Sequence, residues 1–508
     1  MSARLAGTLI SGAMLGKALG FAREVEMARL LGANIVADSF RGALTAVLLP
    51  VAPVQSDMLP SVLIPLHRDW REEGCAAQRS AAVAFLLTLV ATVVAVAVFA
   101  LAAPWVGVLV GGFGAHAQAL TVSFVRVMSL AIPASVLSAC LSSVEIAVGR
   151  SRIAAARASV QNLSMMAGIA IMAATGQALA IPWSFAVAFN LVAAYGALRL
   201  WREGEITFAG LRPRALVDVG ATFCRRFRPL LAIPLADQGN ILLERVLASG
   251  AAVGTLASLD YARALTESAF YLISQPIGYV VLTRAPREPH LLRAEVERLA
   301  QRLLAFALPA SVFIALFATD IVRVVYARGA FDAHAVGLTA GALRGISVGL
   351  WATTLGWVLV RLVNAAGRNG AASAVVVSAY AANALVNVAA VPTLGTLGLG
   401  LGEATRGLVL LGGTAAALGC GGIVLRCLAR AAPAAAALAC AGLAVCAVLD
   451  GSLARLAVAA PVFGVATAAW LALHMPDQVR GIAQALRRPR RAAVPAGAGI
   501  DAMQSTTP

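Results

Sequence analysis

Phe113-Gly114-Ala115-His116-Ala117, followed by Leu120-Thr121, Arg126 and Ser129, reappears as Phe331-Asp332-Ala333-His334-Ala335, then Leu338-Thr339, Arg344 and Ser347, eight identities at one offset of 218 residues. Gly149-Arg150 returns at the same offset as Gly367-Arg368, and Asp38-Ser39-Phe40-Arg41 returns as Asp260-Tyr261-Ala262-Arg263 at an offset of 222. Three echoes in the same order mark an internal duplication, and a repeat on this scale organises a fold before any single motif does.

The material between the echoes is apolar. Of 508 residues, 60% are hydrophobic and only 13% charged, with mean hydropathy +0.84, where a soluble domain carries about 25% charged residues. A helix spanning the hydrocarbon core needs about 20 apolar residues. Polar gaps divide the chain into fourteen such stretches, near 3–30, 36–66, 81–110, 119–148, 155–175, 180–199, 228–249, 256–283, 303–327, 335–366, 371–391, 397–425, 433–449 and 456–475. Runs as continuous as 81–110 exclude an outer-membrane barrel, whose strands alternate in polarity. The short gaps leave no room for a large catalytic domain outside the membrane. The repeat offset covers six stretches, an even number, so both copies keep one orientation. The expected fold is therefore all-α and integral to the membrane: fourteen transmembrane helices in two parallel six-helix lobes related by an axis along the membrane normal, plus two C-terminal helices. Residues 1–218 form the first lobe, 219–432 the second, 433–475 the extra helices and 476–508 a basic cytoplasmic tail.

The formal charge of +16, from 39 Arg and the single Lys17 among the basic residues, raises the question of a nucleic-acid partner. Its distribution answers with topology. Arg68, Arg71, Arg79, Arg150, Arg152, Arg157, the cluster at 199–228, the cluster at 284–302, Arg368, Arg426 and Arg430 fall in alternate gaps. The intervening gaps 111–118, 175–181, 248–255 and 392–396 have no Arg or Lys, and only Arg328 and Arg455 break the pattern. Cytoplasmic loops retain basic residues, which places both termini in the cytoplasm and calls for a lipid bilayer and no nucleic acid. The seven cysteines lack the paired spacing of a disulfide framework or zinc site, and no other metal motif is present.

Lys17-Ala18-Leu19-Gly20-Phe21-Ala22-Arg23-Glu24, with Ala28-Arg29-Leu30-Leu31-Gly32-Ala33 and Ala37-Asp38-Ser39-Phe40, resembles the N-terminal signature of the MurJ (MviN) lipid II flippases. Tyr326-Ala327-Arg328-Gly329-Ala330-Phe331-Asp332 and Pro392-Thr393-Leu394-Gly395-Thr396-Leu397-Gly398-Leu399 look like two further segments of that family, and the likeness covers about residues 1–430. It implies the multidrug/oligosaccharidyl-lipid/polysaccharide exporter fold in the bacterial inner membrane. It also implies a lipid II substrate, the undecaprenyl-diphosphate-linked peptidoglycan precursor, moved from inner to outer leaflet by alternating access, with cell-envelope synthesis proteins as candidate partners. The chain departs from the family at 50–58, where a basic pair is replaced by Pro50-Val51-Ala52-Pro53-Val54-Gln55-Ser56-Asp57-Met58, and at Tyr261-Ala262-Arg263-Ala264, where the expected Arg is displaced by one position. A flippase for another undecaprenyl-diphosphate-linked repeat, of capsule, O-antigen or exopolysaccharide, is the alternative these departures keep open.

A charge at mid-bilayer costs about 2.5–3.5 kcal/mol even on lenient scales, so intramembrane Arg and Lys face a cavity or a partner. Asp38 with Arg41, and Asp260 with Arg263, are three apart on one helical face and can pair locally. The same residues can meet a diphosphate, whose oxygens suit the forked guanidinium. The candidate substrate-binding set is Arg23 and Arg263 as diphosphate ligands, Lys17 and Arg41 as helpers and Asp38 as an orienting carboxylate. Lys17 and Arg23 lie about 120° apart on an ideal helix, which calls for a bend at Gly16 and Gly20 if both reach one cavity. No GxxxxGK[ST] sequence is present, so no nucleotide or other cofactor is expected. An ion gradient or the membrane potential is the expected drive, with Glu24, Asp57, Glu145, Asp237, Glu244 and Glu403 as candidate coupling acids. Catalysis is not expected, because the five histidines are scattered and the outer gaps are short. A drug or cation antiporter would call for acids or aromatics where these halves carry Arg.

Overall fold

The computed structural model describes residues 3–55, 58–209, 213–267 and 289–474. Of the described residues 88% are helical, and none is in a strand. In the first half, α1 (Ala3–Leu31) is followed by α2 (Ile35–Leu48), α3 (Met58–Glu72), α4 (Ala76–Ala100), α5 (Ala102–Leu109), α6 (Ala115–Ser129), α7 (Ile132–Ala147), α8 (Arg152–Thr175) and α9 (Ala180–Arg202). The amphipathic α10 (Pro213–Phe227) packs on α3 and α4 and leads to α11 (Ala232–Ser249). The second half continues with α12 (255–267), α13 (Pro289–Leu316), α14 (Ala318–Tyr326), α15 (Ala333–Ala365), α16 (Asn369–Leu394), α17 (Thr396–Ala417), α18 (Gly421–Val448) and α19 (Ser452–His474). The expected stretch 256–283 is described only to residue 267, and the tail 476–508 and Asp57 lie outside the described residues.

The duplication is carried by the backbone. Gly149 and Gly367, 218 apart, both have positive φ (82° and 78°), as do Gly32 and Gly254, 222 apart (70° and 90°). Helix α15 begins and ends 218 residues after the start of α6 and the end of α7, yet α15 is continuous where α6 and α7 meet at a 44° bend. Pro133 explains the difference. It stands in the first turn of α7, without an N–H and with its ring against the preceding turn. The corresponding position of α15 is Trp351, which keeps its hydrogen bond and the helix.

Among the described residues nine helices are long and apolar enough to cross a membrane, ten with the bent pair α6–α7 taken as one. The other four of the fourteen expected stretches correspond to α1, α11, α12 and α17, which carry Lys17, Arg23, Glu24, Glu244, Arg245, Asp260, Arg263, Glu403 and Arg406. Of these four, α11 carries Asp237, Glu244 and Arg245 within its 18 residues, and α12 is described over 255–267 alone. Lipid-facing surfaces are apolar, as with Phe85, Leu89, Val93, Val96 and Phe99 on α4. Several boundaries differ from expectation; α13, for one, begins at Pro289 and not near 303. The break sought at 425–433 lies at Leu418–Cys420, and α18 runs through Pro433; the stretch 36–66 is interrupted after Leu48 by a 3-10 turn at Pro50 and a short turn Ala52–Gln55. The last two helices dock through Phe463, whose ring lies 5.3 Å from Phe313 and 6.2 Å from Phe317.

Gly16 and Gly20 do not interrupt α1, which is one continuous helix. With Gly12 they form a seam of small residues against α8: Cβ atoms added at Gly12 and Gly16 would lie 2.5 and 2.7 Å from the Cβ of Ala155 and Ala158. Small residues at such spacing let two membrane helices approach backbone to backbone. At Gly16 the next nearest atom is 3.9 Å away, so the crowding is with one methyl group. Gly16→Ala is therefore expected to destabilise the chain by about 1–3 kcal/mol through overpacking. Adding Ala158→Gly should recover most of that loss, as read by thermal unfolding of the purified protein.

Candidate functional site

One end of the molecule is shut by contacts between the two halves. Asp38, in the first turn of α2, accepts hydrogen bonds from the backbone N–H of Gly254 (2.6 Å) and of Ala257 (2.8 Å), at the start of α12. The Tyr261 hydroxyl donates to the Gly32 carbonyl at 3.0 Å, and the Tyr326 hydroxyl to the Tyr261 carbonyl at 3.1 Å. The N–H of Ala330 donates to the Arg29 carbonyl at 2.9 Å. The backbones approach closely enough that a Cβ on Gly254, at φ +90°, would lie 2.4 Å from the Ala33 carbonyl oxygen. Gly112 meets Ser249 in the same layer, its N–H donating to the hydroxyl at 3.2 Å.

Below this seal lies a cavity of about 740 Å³ between the halves. Lys17, Arg23, Arg41 and Arg263, four of the five residues expected at the site, line it together. Arg157 is a fifth cation, and Glu24, Asp260 and Glu267 are the acids in the lining, an excess of two positive formal charges. The Arg23 guanidinium donates to the Asn162 side-chain oxygen at 2.9 Å and pairs with Glu24. Glu24 pairs at the same time with Arg41, which is only 4% exposed; the Arg41 Nε lies 3.5 Å from Asp260, and its guanidinium lies over the Tyr261 ring at 5.6 Å. Arg263 pairs with Glu244 at 2.6 Å and with Glu403, and lies 3.9 Å from Asp260. Arg245 bonds Asp260 at 3.1 and 3.3 Å, and Arg406 pairs with Glu403. Asn240 and Asn383 donate to the remaining oxygen of Glu244 at 2.9 and 3.3 Å. The Nε atoms of Arg23 and Arg41 meet no hydrogen-bond acceptor among the described residues.

Two expectations change. Asp38 and Arg41 do not pair with each other: both oxygens of Asp38 are taken by the backbone of the other half, and Arg41 turns to Glu24 and Asp260. Asp38 is thus part of the seal and is not in the cavity lining. Lys17 and Arg23 line one cavity from a helix without a break. Lys17 is close enough to Glu267 for their charges to interact. Among the coupling acids, Glu24, Glu244 and Glu403 are the counter-ions of the arginines. Glu145 accepts from the N–H of Ile153 at 2.6 Å and so caps α8, and Asp237 accepts from Gln238 at 3.1 Å.

Sequence reading missed Asn162, Gln55, Glu267 and Arg157. Alternation of basic gaps groups Arg157 with the loop arginines although it lies inside the expected stretch 155–175; the signal against that is Asn162, five residues further on in an apolar helix.

Pseudo-symmetric helical halves, closed over one end of a charged cavity in a membrane-spanning chain, are the architecture of a membrane transporter. Residues 27–449 match the family model described as lipid II flippase MurJ, and the chain belongs to that family. It is 28% identical over 428 residues to a probable lipid II flippase MurJ of Rhizobium tropici, covering 78% of this chain and 77% of the relative. In fold it is similar to lipid II flippase MurJ in an inward closed conformation, with TM-score 0.80, 14% identity and coverage of 93% of this chain and 99% of that one. It is similar, with TM-score 0.65, 13% identity and coverage of 84% and 98%, to the inward-facing form of a multidrug resistance MATE transporter of the MOP superfamily.

Removing one member of a buried ion pair costs about 3–5 kcal/mol, because the other charge is stranded. Arg41→Leu, which takes one cation from both Glu24 and Asp260, should therefore lower the thermal stability and folded yield of the purified chain, and Arg41→Lys, which keeps the charge, should retain a large part of both.

Proposed function

We propose that this chain carries lipid II from the inner to the outer leaflet of the bacterial cytoplasmic membrane. The observation that supports this reading is the cationic excess of a cavity placed between two halves, with the sealed end opposite the arginine-rich loops. On that reading those loops and both termini are cytoplasmic, the cavity faces the cytoplasm, and residues 1–218 and 219–432 are the rocking lobes. Arg23 and Arg263 take the diphosphate, Lys17 adds charge at the cavity wall, and Arg41 holds Glu24 and Asp260 in place. The diphosphate replaces Glu244 and Glu403 as the acceptor for Arg263, so binding exchanges one set of charge-assisted hydrogen bonds for another at small net cost. No covalent chemistry and no cofactor enter this cycle.

The membrane potential supplies a return stroke. Each charge moved through 100 mV is worth about 2.3 kcal/mol, so the two excess positive charges of the empty cavity draw the carrier back toward the negative cytoplasmic side. Another undecaprenyl-diphosphate-linked glycan would use the same cations. The neutral Gln55 and Pro60 in the lining, close to the position of the missing basic pair, are the observation on its side.

The test is rescue of a bacterium depleted of its own lipid II flippase. The wild-type chain is expected to restore growth, and Arg23→Ala and Arg263→Ala, at matched membrane levels, to lose it. Growth restored by both variants would remove the assignment of these arginines. Failure of a well-expressed wild-type chain would turn the substrate toward another polyprenyl-linked glycan.

A further inference from the structure

Four of the five cations lining the cavity interact with carboxylates: Arg23 and Arg41 with Glu24, Arg263 with Glu244 and Glu403, and Lys17 with Glu267. Arg157 has no ion pair and no hydrogen bond among the described residues, although it lies on the inner wall of the cavity on α8 and is half-buried there. A guanidinium withdrawn from bulk water without a counter-charge is costly, and intramembrane charges of this kind mark ligand paths. Its depth is set by the seam between α1 and α8. Gly16 packs on Ala158, the neighbour of Arg157, and Arg23 stands seven residues further along α1, about 10 Å deeper at 1.5 Å per residue. Both helices run from the arginine-rich loops toward the seal. The order from the open end is therefore Arg157 with Lys17 beside it, then Arg23, Arg41 and Arg263.

We propose that Arg157 is the first diphosphate-binding group on the transport path, holding the anion at the cavity mouth before it passes to Arg23 and Arg263. This inference rests on the flippase reading above. The deep arginines release their carboxylates only in exchange for the ligand, whereas Arg157 offers an unshared guanidinium to an arriving anion. Ser142 and Ser143, from α7, share the cavity lining with it. A charge at the rim of a site acts mainly on the association rate and its salt dependence, and a buried paired charge mainly on dissociation.

The test uses the full chain in nanodiscs of neutral phosphatidylcholine, with undecaprenyl diphosphate as the probe and stopped-flow fluorescence as the readout. Arg157→Gln is expected to slow association about tenfold and to flatten its salt dependence, with dissociation and thermal stability near wild type. Arg157→Lys should stay within about threefold of wild type. Ala154→Glu, which places a carboxylate three residues away on the same helix, should slow association as Arg157→Gln does, with the arginine still present. Arg263→Gln should instead speed dissociation. An association rate and salt dependence unchanged in both Arg157→Gln and Ala154→Glu would overturn the inference and leave the flippase reading standing. A wild-type chain that does not bind undecaprenyl diphosphate would overturn both.

Discussion

One turn of helix, from Asp38 to Arg41, carries the interaction on which the rest of the structure depends. Asp38 gives both carboxylate oxygens to backbone N–H groups at the start of α12, where the helix dipole favours negative charge. Charge-assisted hydrogen bonds of this sort contribute about 1.5–3 kcal/mol each. Three residues on, Arg41 ties Glu24 of α1 to Asp260 of α12. One side chain therefore shuts an end of the molecule and the other sets the floor of that closure, so the seal and the cavity are parts of a single arrangement.

The charge network follows from the cost of ionised groups among apolar helices. Each deep guanidinium meets a carboxylate, and the acids are in turn shared: Glu24 between Arg23 and Arg41, Glu403 between Arg263 and Arg406. Sharing leaves the cavity lining with more positive than negative charge without stranding an arginine in hydrocarbon. A polyanionic ligand can then enter by replacing a carboxylate, and the same exchange lets it leave.

Much of this was legible in the residues. The repeat of Phe113–Ser129 in Phe331–Ser347 carried the two-fold architecture, because it depends on local sequence. Lys17, Arg23, Arg41 and Arg263 were recognisable as charges in apolar stretches. What escaped was non-local. The partner of Asp38 is the backbone more than 200 residues away, which no spacing rule supplies, so the residue looked like the mate of Arg41. Gly16 and Gly20 read as a hinge because a glycine facing a neighbouring helix and one that bends its own look alike in sequence. Pro133 and Trp351 show how one residue makes two copies of a repeat differ in shape.

The central claim is that the Asp38 clamp closes one face while the cationic cavity opens to the other. Its most direct test is labelling of Ser142→Cys, a cavity-lining position, in a cysteine-free background, with a membrane-impermeant thiol reagent applied to either side of the membrane. The account predicts labelling from the face of the arginine-rich loops alone, and labelling from both faces once Asp38→Ala is added. Equal labelling from both faces before that change, or one-sided labelling that Asp38→Ala leaves untouched, would contradict it.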